Sequence, residues 1–157
     1  MAKNPVTVEG FRALQERLKQ LKEIERPANV RAIEEARAHG DLSENAEYAA
    51  AKERQSFIAG EITQVETLIA TAEVIDPTTL GGERVVFGAT VSLFDLDKDE
   101  EMQYKIVGVS EVDLKQNKIS YESPIARAII GKQIGDEVQV RTPGGLRNYE
   151  ITDVVFR

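Results

Sequence analysis

Apolar side chains in the first part of the chain recur every three or four residues, and charged residues fill the positions between them. The members of this first stripe are Phe11, Leu14, Leu18, Leu21, Ile24, Ala28, Ala32 and Ala36. The spacing predicts one buried face of a long helix from about residue 8 to residue 38. Pro27 lacks a backbone donor and crowds the carbonyl four residues earlier, so we expect a kink or a restart there.

A second stripe with the same period follows a short polar interval. Its members are Ala46, Ala49, Ala50, Ile58, Ile62, Val65, Leu68, Ile69 and Ala72, and Asp76-Pro77 is expected to end the helix. Two helices of matched length joined by a tight turn form an antiparallel hairpin, and each is expected to bury its apolar face against the other. Near the turn the predicted seam is mostly alanine. This composition predicts a thin distal half with little apolar area to bury.

The second part of the chain has a different period. Apolar and polar residues alternate, which is typical of half-buried strands, at residues 90–93, 102–106, 137–140 and 149–156. Ser123–Gly131 is predicted to be a short helix, with serine as the cap, proline at the first position and glycine as the stop. The sequence therefore predicts an α+β protein. It consists of a long helical coiled-coil hairpin over residues 1–76, a linker over 77–83 and a small antiparallel β-rich domain over 84–157.

Composition narrows the classes of function. The chain carries 20 Lys and Arg against 27 Asp and Glu, a net charge of −7, so tight autonomous binding to DNA or RNA is not expected. The expected partner is a protein, or nucleic acid that a protein already holds. The sequence has no cysteine, which excludes disulfides, a thiol nucleophile and Cys-type zinc sites. No run approaches the roughly 20 apolar residues of a membrane span, so a cytoplasmic protein is expected.

The interval between the two predicted helices holds the best candidate for chemistry. Gly40 is placed to end the incoming helix, and Asp41 and Glu44 follow as two carboxylates three residues apart. One interpretation is a capping box in which Asp41 opens the outgoing helix. The other is an incomplete Mg²⁺ site, because two carboxylates fill only part of an octahedral shell and another molecule has to supply the rest. His39 is interpreted as a solvent-facing turn residue rather than a metal ligand.

Side chains suited to single-stranded nucleic acid follow the turn. Glu44, Tyr48 and Lys52 are spaced by four residues, so they form one line along a helix. A carboxylate, an aromatic ring and a cation in this order suit a metal-bound phosphate, a stacked base and the next phosphate. Arg37 adds a second positive charge one turn before the apex. The alternative is an exposed tyrosine among ordinary surface charges.

Residues His39–Tyr48, preceded by Arg26-Pro27, resemble the Gre family of bacterial transcript cleavage factors. The likeness is collinear from about residue 6 to residue 156 and includes Val86–Val91, Ser123–Arg127, Ile130–Lys132 and Thr142–Gly145. The acidic balance is similar to the GreA branch rather than to the more basic GreB branch. The resemblance implies an FKBP-like second domain. It also implies bacterial RNA polymerase as the partner, with the hairpin in its secondary channel.

The resemblance also implies an activity. When polymerase backtracks, the 3′ end of the nascent RNA is extruded, and factors of this family stimulate the polymerase to cleave its own transcript. Asp41 and Glu44 match the acidic pair that stabilises the second catalytic Mg²⁺. That ion is shared with polymerase and is not expected on the free protein. The protein is accordingly expected to be a cofactor, not an enzyme, and a monomer.

Other roles implied by the resemblance concern contacts with RNA and with polymerase. Three residues match positions that engage the extruded RNA and three match the loop that docks on polymerase, namely Arg37, Tyr48 and Lys52, and Ser123, Pro124 and Ile125. Two alternatives remain open. The first is a Gre-fold inhibitor or coiled-coil adaptor that binds polymerase without inducing cleavage. The second, prolyl isomerisation, requires an aromatic-lined pocket, and residues 84–157 contain few aromatic side chains and no tryptophan.

Overall fold

The computed structural model describes residues 3–40 and 45–157. These residues divide into two compact units. The first unit contains residues 11–72, and the second contains residues 73–157 together with residues 3–10. The N-terminal segment therefore groups with the second unit, although it precedes the hairpin in sequence.

In the described part of the chain three helices build the hairpin, and a short π-helical segment at Leu21–Glu25 interrupts the first arm. The helices are α1 (Val8–Gln20), α2 (Arg26–Arg37) and α3 (Ala46–Ala70). The amide of Arg26 donates to the carbonyl of Leu21, five residues earlier, as in a π-helix. Pro27 follows directly, and it can neither donate to nor pack against the carbonyl of Glu23 in a regular helix. The interruption expected at Pro27 is therefore confirmed.

The π-helical segment changes which side chains are buried beyond it. Three residues of the predicted stripe are exposed, so their predicted burial is wrong: Ile24, Ala28 and Ala32. The buried positions after Leu21 are Asn29, Ile33 and Ala36. A wider turn contains an extra residue, so at Asn29 and Ile33 the buried face falls one position later than the stripe predicts. The predicted burial of Ala36 is confirmed.

The outgoing helix α3 buries Ile58, Ile62 and Val65, as the stripe predicts. Near the turn it buries Ala51, whereas the predicted members Ala46, Ala49 and Ala50 are exposed. The helix also ends at Ala70, before the stop predicted at Asp76-Pro77. The next residues form a strand, β2 (Ala72–Ile75), which pairs with β1 (Asn4–Thr7).

The first turn of α1 is fixed within the second unit by Glu111. The amide of Thr7 donates to Glu111 Oε2 at 3.0 Å, and the Thr7 hydroxyl donates to Oε1. The amide of Gly108 donates to the same carboxylate at 2.9 Å. A Cβ atom on Gly10 would collide with the Glu111 side chain, so a larger residue there would have to displace this carboxylate from its hydrogen bonds.

The second unit contains a five-stranded sheet in the order β5-β4-β3-β7-β6. Its strands are β3 (Thr90–Asp95), β4 (Glu100–Val107), β5 (Lys118–Ser120), β6 (Glu137–Thr142) and β7 (Gly145–Val155). The pairings β3–β4, β3–β7 and β6–β7 are antiparallel, as expected for this domain. Strand β5 is an addition to the predicted set and pairs with β4 in parallel.

The short helix α4 (Pro124–Ile129) covers one face of this sheet. Its prediction is confirmed: Ser123 Oγ accepts a hydrogen bond from the Ala126 amide at 3.2 Å, and Pro124 is the first helical residue. Ala126 and Ile129 are fully buried in the core of the second unit. The predicted α+β fold, a long helical hairpin followed by a β-rich domain, is confirmed.

Candidate functional site at the hairpin turn

Helix α2 ends in a tight turn. The amide of Ala38 donates to the carbonyls of Glu34 and Glu35, at 3.2 Å in each case, and the His39 amide donates to the carbonyl of Ala36 at 3.2 Å. Gly40 follows with φ of +104°, a conformation that glycine adopts without a steric penalty. The glycine stop predicted for the incoming helix is therefore confirmed.

The two predicted carboxylates, Asp41 and Glu44, lie outside the residues that the structure describes. Their role as metal ligands stays a prediction. The sequence also suggested that Asp41 opens the outgoing helix; that residue is outside the described part of the chain, where α3 begins at Ala46. The cap of α3 is Asn45, whose Oδ1 accepts a hydrogen bond from the amide of Tyr48 at 3.1 Å.

Asn45 has a second role that the sequence did not reveal. Its side-chain nitrogen donates to the carbonyl of Ala36 at 2.7 Å, near the end of α2. One amide group therefore caps the outgoing helix and ties it to the incoming one. An Asn immediately before a helical run is a recognisable cap signal, so the cap could have been found from sequence. The hydrogen bond to Ala36 depends on the tertiary fold and could not have been found from the sequence.

The distal seam is held by a second amide. Asn29 is 5% exposed, and its Nδ2 donates to the carbonyl of Ala51 at 3.0 Å. Ala36 and Ala51 are the small buried residues on either side. Short side chains let two helices approach closely enough for an asparagine to reach the facing backbone. Of the alanines predicted in the distal seam only Ala36 is buried, and the seam also contains Ile33, so the prediction of a mostly alanine seam is wrong.

The predicted RNA-contacting side chains lie in this distal part. Arg37 is exposed at the end of α2, Tyr48 is half-buried, and Lys52 is exposed with its Nζ 3.0 Å from Gln55 Oε1. Because Ala36 lies against Asn45, Arg37 is level with the start of α3. Lys52 is seven residues beyond Asn45, or roughly 10 Å along the axis. The structure thus brings the three side chains into the last two turns of the hairpin, and their contact with RNA stays a prediction.

His39 is two-thirds exposed, and its Nε2 lies 3.9 Å from a carboxylate oxygen of the still more exposed Glu47. The interpretation of His39 as a surface residue is thus confirmed. Within residues 3–40 and 45–157, no group of three or more His, Cys, Asp or Glu side chains is arranged to hold a metal ion.

The predicted docking residues lie at the start of α4. Ser123 is half-buried and engaged as the helix cap, and Pro124 is exposed. Ile125 is partly buried against the sheet core. Packing against the core therefore explains why position 125 is an apolar residue. The adjacent Pro124 leaves exposed surface. Docking through this loop stays a prediction.

No helix in the described part of the chain is long and apolar enough to cross a membrane.

Comparisons with known proteins cover nearly the whole chain. Residues 4–74 match the family model "Transcription elongation factor, N-terminal", and residues 80–156 match "Transcription elongation factor, GreA/GreB, C-term". Transcription elongation factor GreA of Phenylobacterium zucineum is 60% identical over 98% of both chains. Transcription elongation factor GreA of Hyphomonas neptunium is 57% identical over 100% of both chains.

A solved structure of a GreA/GreB elongation factor from Nitrosomonas europaea is 22% identical and covers 98% of this chain and 100% of its own, with a TM-score of 0.44. The two family models and the high identity to curated relatives are the stronger result, because they span both units.

Proposed function

The chain belongs to the GreA/GreB family of transcription elongation factors, and from that premise we propose that it binds bacterial RNA polymerase as a transcript cleavage factor. In this proposal the turn between α2 and α3 reaches the polymerase active centre through the secondary channel. The polymerase then hydrolyses the 3′ end of backtracked RNA and resumes synthesis. The protein itself is a cofactor and not an enzyme, and it acts as a monomer in the cytoplasm.

The observation that carries the proposal is the match of both units to the two models of this family. The distal hairpin supports it. Its seam contains the small residues Ala36 and Ala51, and two asparagine amides join the two arms there. A slim end with a fixed register suits passage through a narrow channel.

Asp41 and Glu44 are the proposed Mg²⁺ ligands. Carboxylate oxygens are the donors that Mg²⁺ prefers, and a pair of them leaves most of the octahedral shell to polymerase, RNA and water. A second Mg²⁺ in such a site activates the attacking water and stabilises the leaving oxygen of a phosphodiester. The chain contributes negative charge and two ligands.

Arg37, Tyr48 and Lys52 are proposed to hold the extruded RNA beside this acidic pair. Two exposed cations attract phosphates, and an aromatic ring stacks on a base irrespective of its sequence. Ser123, Pro124 and Ile125 are proposed to dock on polymerase, with Pro124 supplying the exposed surface.

The proposal is tested with a stalled, backtracked complex that carries end-labelled RNA. Asp41→Asn and Glu44→Gln are each expected to slow cleavage on the order of 100-fold, because a charge-stabilising group is lost from the reaction. Affinity for polymerase should stay within twofold. Glu47→Gln is the matched control, since Glu47 is a nearby exposed acid on α3, and it should cleave as wild type.

Two outcomes contradict the proposal. If both variants cleave at the wild-type rate, the carboxylates are not metal ligands. If the wild-type protein binds polymerase but never stimulates cleavage at any Mg²⁺ concentration, it is a channel-blocking regulator instead.

The proposed RNA contacts are tested by charge reversal. Arg37→Glu combined with Lys52→Glu should weaken cleavage of backtracked complexes, because phosphates would then face carboxylates. Arg12→Glu with Lys19→Glu, an equal charge change on exposed residues of α1, is the control. If both double variants lost the same amount of cleavage activity, the effect would be due to overall charge and not to contacts with RNA.

A further inference from the structure

The outer face of the sheet, opposite the core, carries a pocket of about 260 Å³. Thr90, Lys105 and Lys118 line it and are neighbours across three strands: Thr90 pairs with Lys105 in register, and Lys105 pairs with Lys118. Successive side chains of a strand point to opposite faces, and Val91, Ile106 and Ile119, the residues that follow these three, are in the core. The pocket is therefore built on the regular sheet and not on a loop alone.

Two like charges face each other in this pocket. Lys105 and Lys118 are directly opposite on adjacent strands, an arrangement that destabilises a sheet when nothing compensates it. Both are half-buried, with the Lys118 side chain 24% exposed. The only ion pair that the described residues give Lys118 is with Glu9, at 4.0 Å, and the Glu9 side chain is 78% exposed. That contact is too long and too solvated to neutralise two lysines.

A third cation and several amides complete the lining. The Arg157 guanidinium donates to Gln103 Oε1 at 3.0 Å, and Gln103 Nε2 donates to Ser92 Oγ at 3.3 Å, so the arginine is held at the rim by a side chain that is itself oriented. Gln116 and Asn117 line the other side. Among the described side chains that line the pocket, none is a carboxylate.

We infer that this pocket binds the phosphate group of a small anionic ligand of nucleotide or pyrophosphate size. Three cations, whose only ion pair among the described residues is the long contact of Lys118 with the exposed Glu9, supply point charges for phosphate oxygens, and the amides supply further donors. The volume suits a small ligand better than a folded partner. The net charge of −7 repels polyanions at long range, so binding depends on these close contacts. The site is on the second unit and is independent of the cleavage function.

The test uses the full chain and sodium pyrophosphate without divalent ions, at low salt. Isothermal titration should give one site, and backbone amide shifts in NMR spectra should change around β4, β5 and Asn117. Lys118→Gln is expected to weaken pyrophosphate binding at least tenfold. Lys98→Gln removes the same charge from the β3–β4 turn and should stay within twofold of wild type. Affinity should fall as salt rises.

Lys118→Gln is also expected to melt at or above the wild-type temperature, because one of two facing charges is gone. If it melts lower, Lys105→Gln takes its place in the titration. A nucleoside triphosphate that binds as well as pyrophosphate, or better, supports the inference. Shifts spread over lysines across the whole surface, unchanged affinity in the pocket variants, or preferential binding of an acidic hexapeptide would overturn it.

Discussion

The two halves of the hairpin are held together in different ways. The proximal half, residues 11–25 with 54–70, buries large aliphatic side chains: Leu14, Leu21, Ile58, Ile62 and Val65. The distal half, residues 26–40 with 45–53, buries Ile33, two alanines and Asn29, and its two arms are tied by the amides of Asn29 and Asn45. Buried apolar area stabilises the proximal half, and hydrogen bonds from two asparagine side chains stabilise the distal half.

A charged network adds to the proximal half. Arg17 binds Glu61 through two nitrogens, at 2.6 and 2.7 Å, and also contacts Glu25 at 2.5 Å. Arg54 reaches Glu25 from α3 at 3.0 Å. The hydrogen bonds from Arg17 lower the pKa of the Glu61 carboxyl below its ordinary value. The network bridges the two arms at the level of the π-helical segment.

This difference between the halves explains how one hairpin can be stable in its proximal half and narrow in its distal half. Large residues keep the helices apart and supply most of the free energy of unfolding, whereas small residues bring them together and supply little. A buried amide paired with a backbone carbonyl compensates by fixing the register, at a modest net gain of about 1 kcal/mol. The predictions below separate these contributions.

The largest effect is expected in the proximal seam. Ile58 is 4% exposed, and Ile58→Ala should lower the free energy of unfolding by about 2–4 kcal/mol, because it removes buried methyl groups and leaves a cavity. Phe57→Ala, at the next residue but 68% exposed, should cost less than about 0.5 kcal/mol. Urea unfolding followed by helical circular dichroism measures both. Equal losses would show that the seam is not where the structure places it.

A smaller, local effect is expected at the turn. Asn45→Ala should cost about 1–2 kcal/mol, because it removes the cap of α3 and the bond to Ala36. Asn45→Asp keeps an acceptor for the Tyr48 amide but lacks the donor to Ala36, so it should lose only part of this amount. Amide hydrogen exchange should quicken near the turn and stay slow around Ile58. Faster exchange along the whole hairpin would contradict the division into two halves.

The smallest effect concerns pH. The pKa of Glu61 is lowered in the folded protein, so its contribution is present above the unfolded pKa and is lost as pH falls through the folded pKa. Both partners are more than one-third exposed, so the gain is at most about 0.5 kcal/mol after solvent screening. Glu61→Gln should therefore reduce the loss of stability between pH 6 and pH 3. An unchanged slope would mean that the ion pair contributes nothing.

The sequence predicted the elements better than their register. Periodicity identified both arms of the hairpin and four strands, the cap and stop residues identified α4, and Pro27 marked the interruption. The sequence pattern does not indicate that the interruption is a π-helical turn. It therefore predicts Ile24 in the seam, whereas the Ile24 side chain is 62% exposed. The three residues of β5 are too few to show a period.

The candidate site likewise has features that the sequence predicts and features that it does not. The glycine stop at Gly40 follows from local chemistry and was predictable. The bond from Asn45 to Ala36 joins residues nine apart through the fold, and no local pattern indicates it. Asp41 and Glu44, which lie outside the described residues, are predicted from their residue types and from the family resemblance.

The most direct measurement is the Mg²⁺ dependence of transcript cleavage in a backtracked complex. The account predicts that the wild-type protein lowers the Mg²⁺ concentration for half-maximal cleavage on the order of tenfold relative to polymerase alone, because it adds ligands to the second ion. Glu44→Gln should bind polymerase normally and leave that concentration at the value for polymerase alone, whereas Glu47→Gln should act as wild type. A Glu44→Gln protein that lowers the Mg²⁺ requirement as much as wild type would contradict the account.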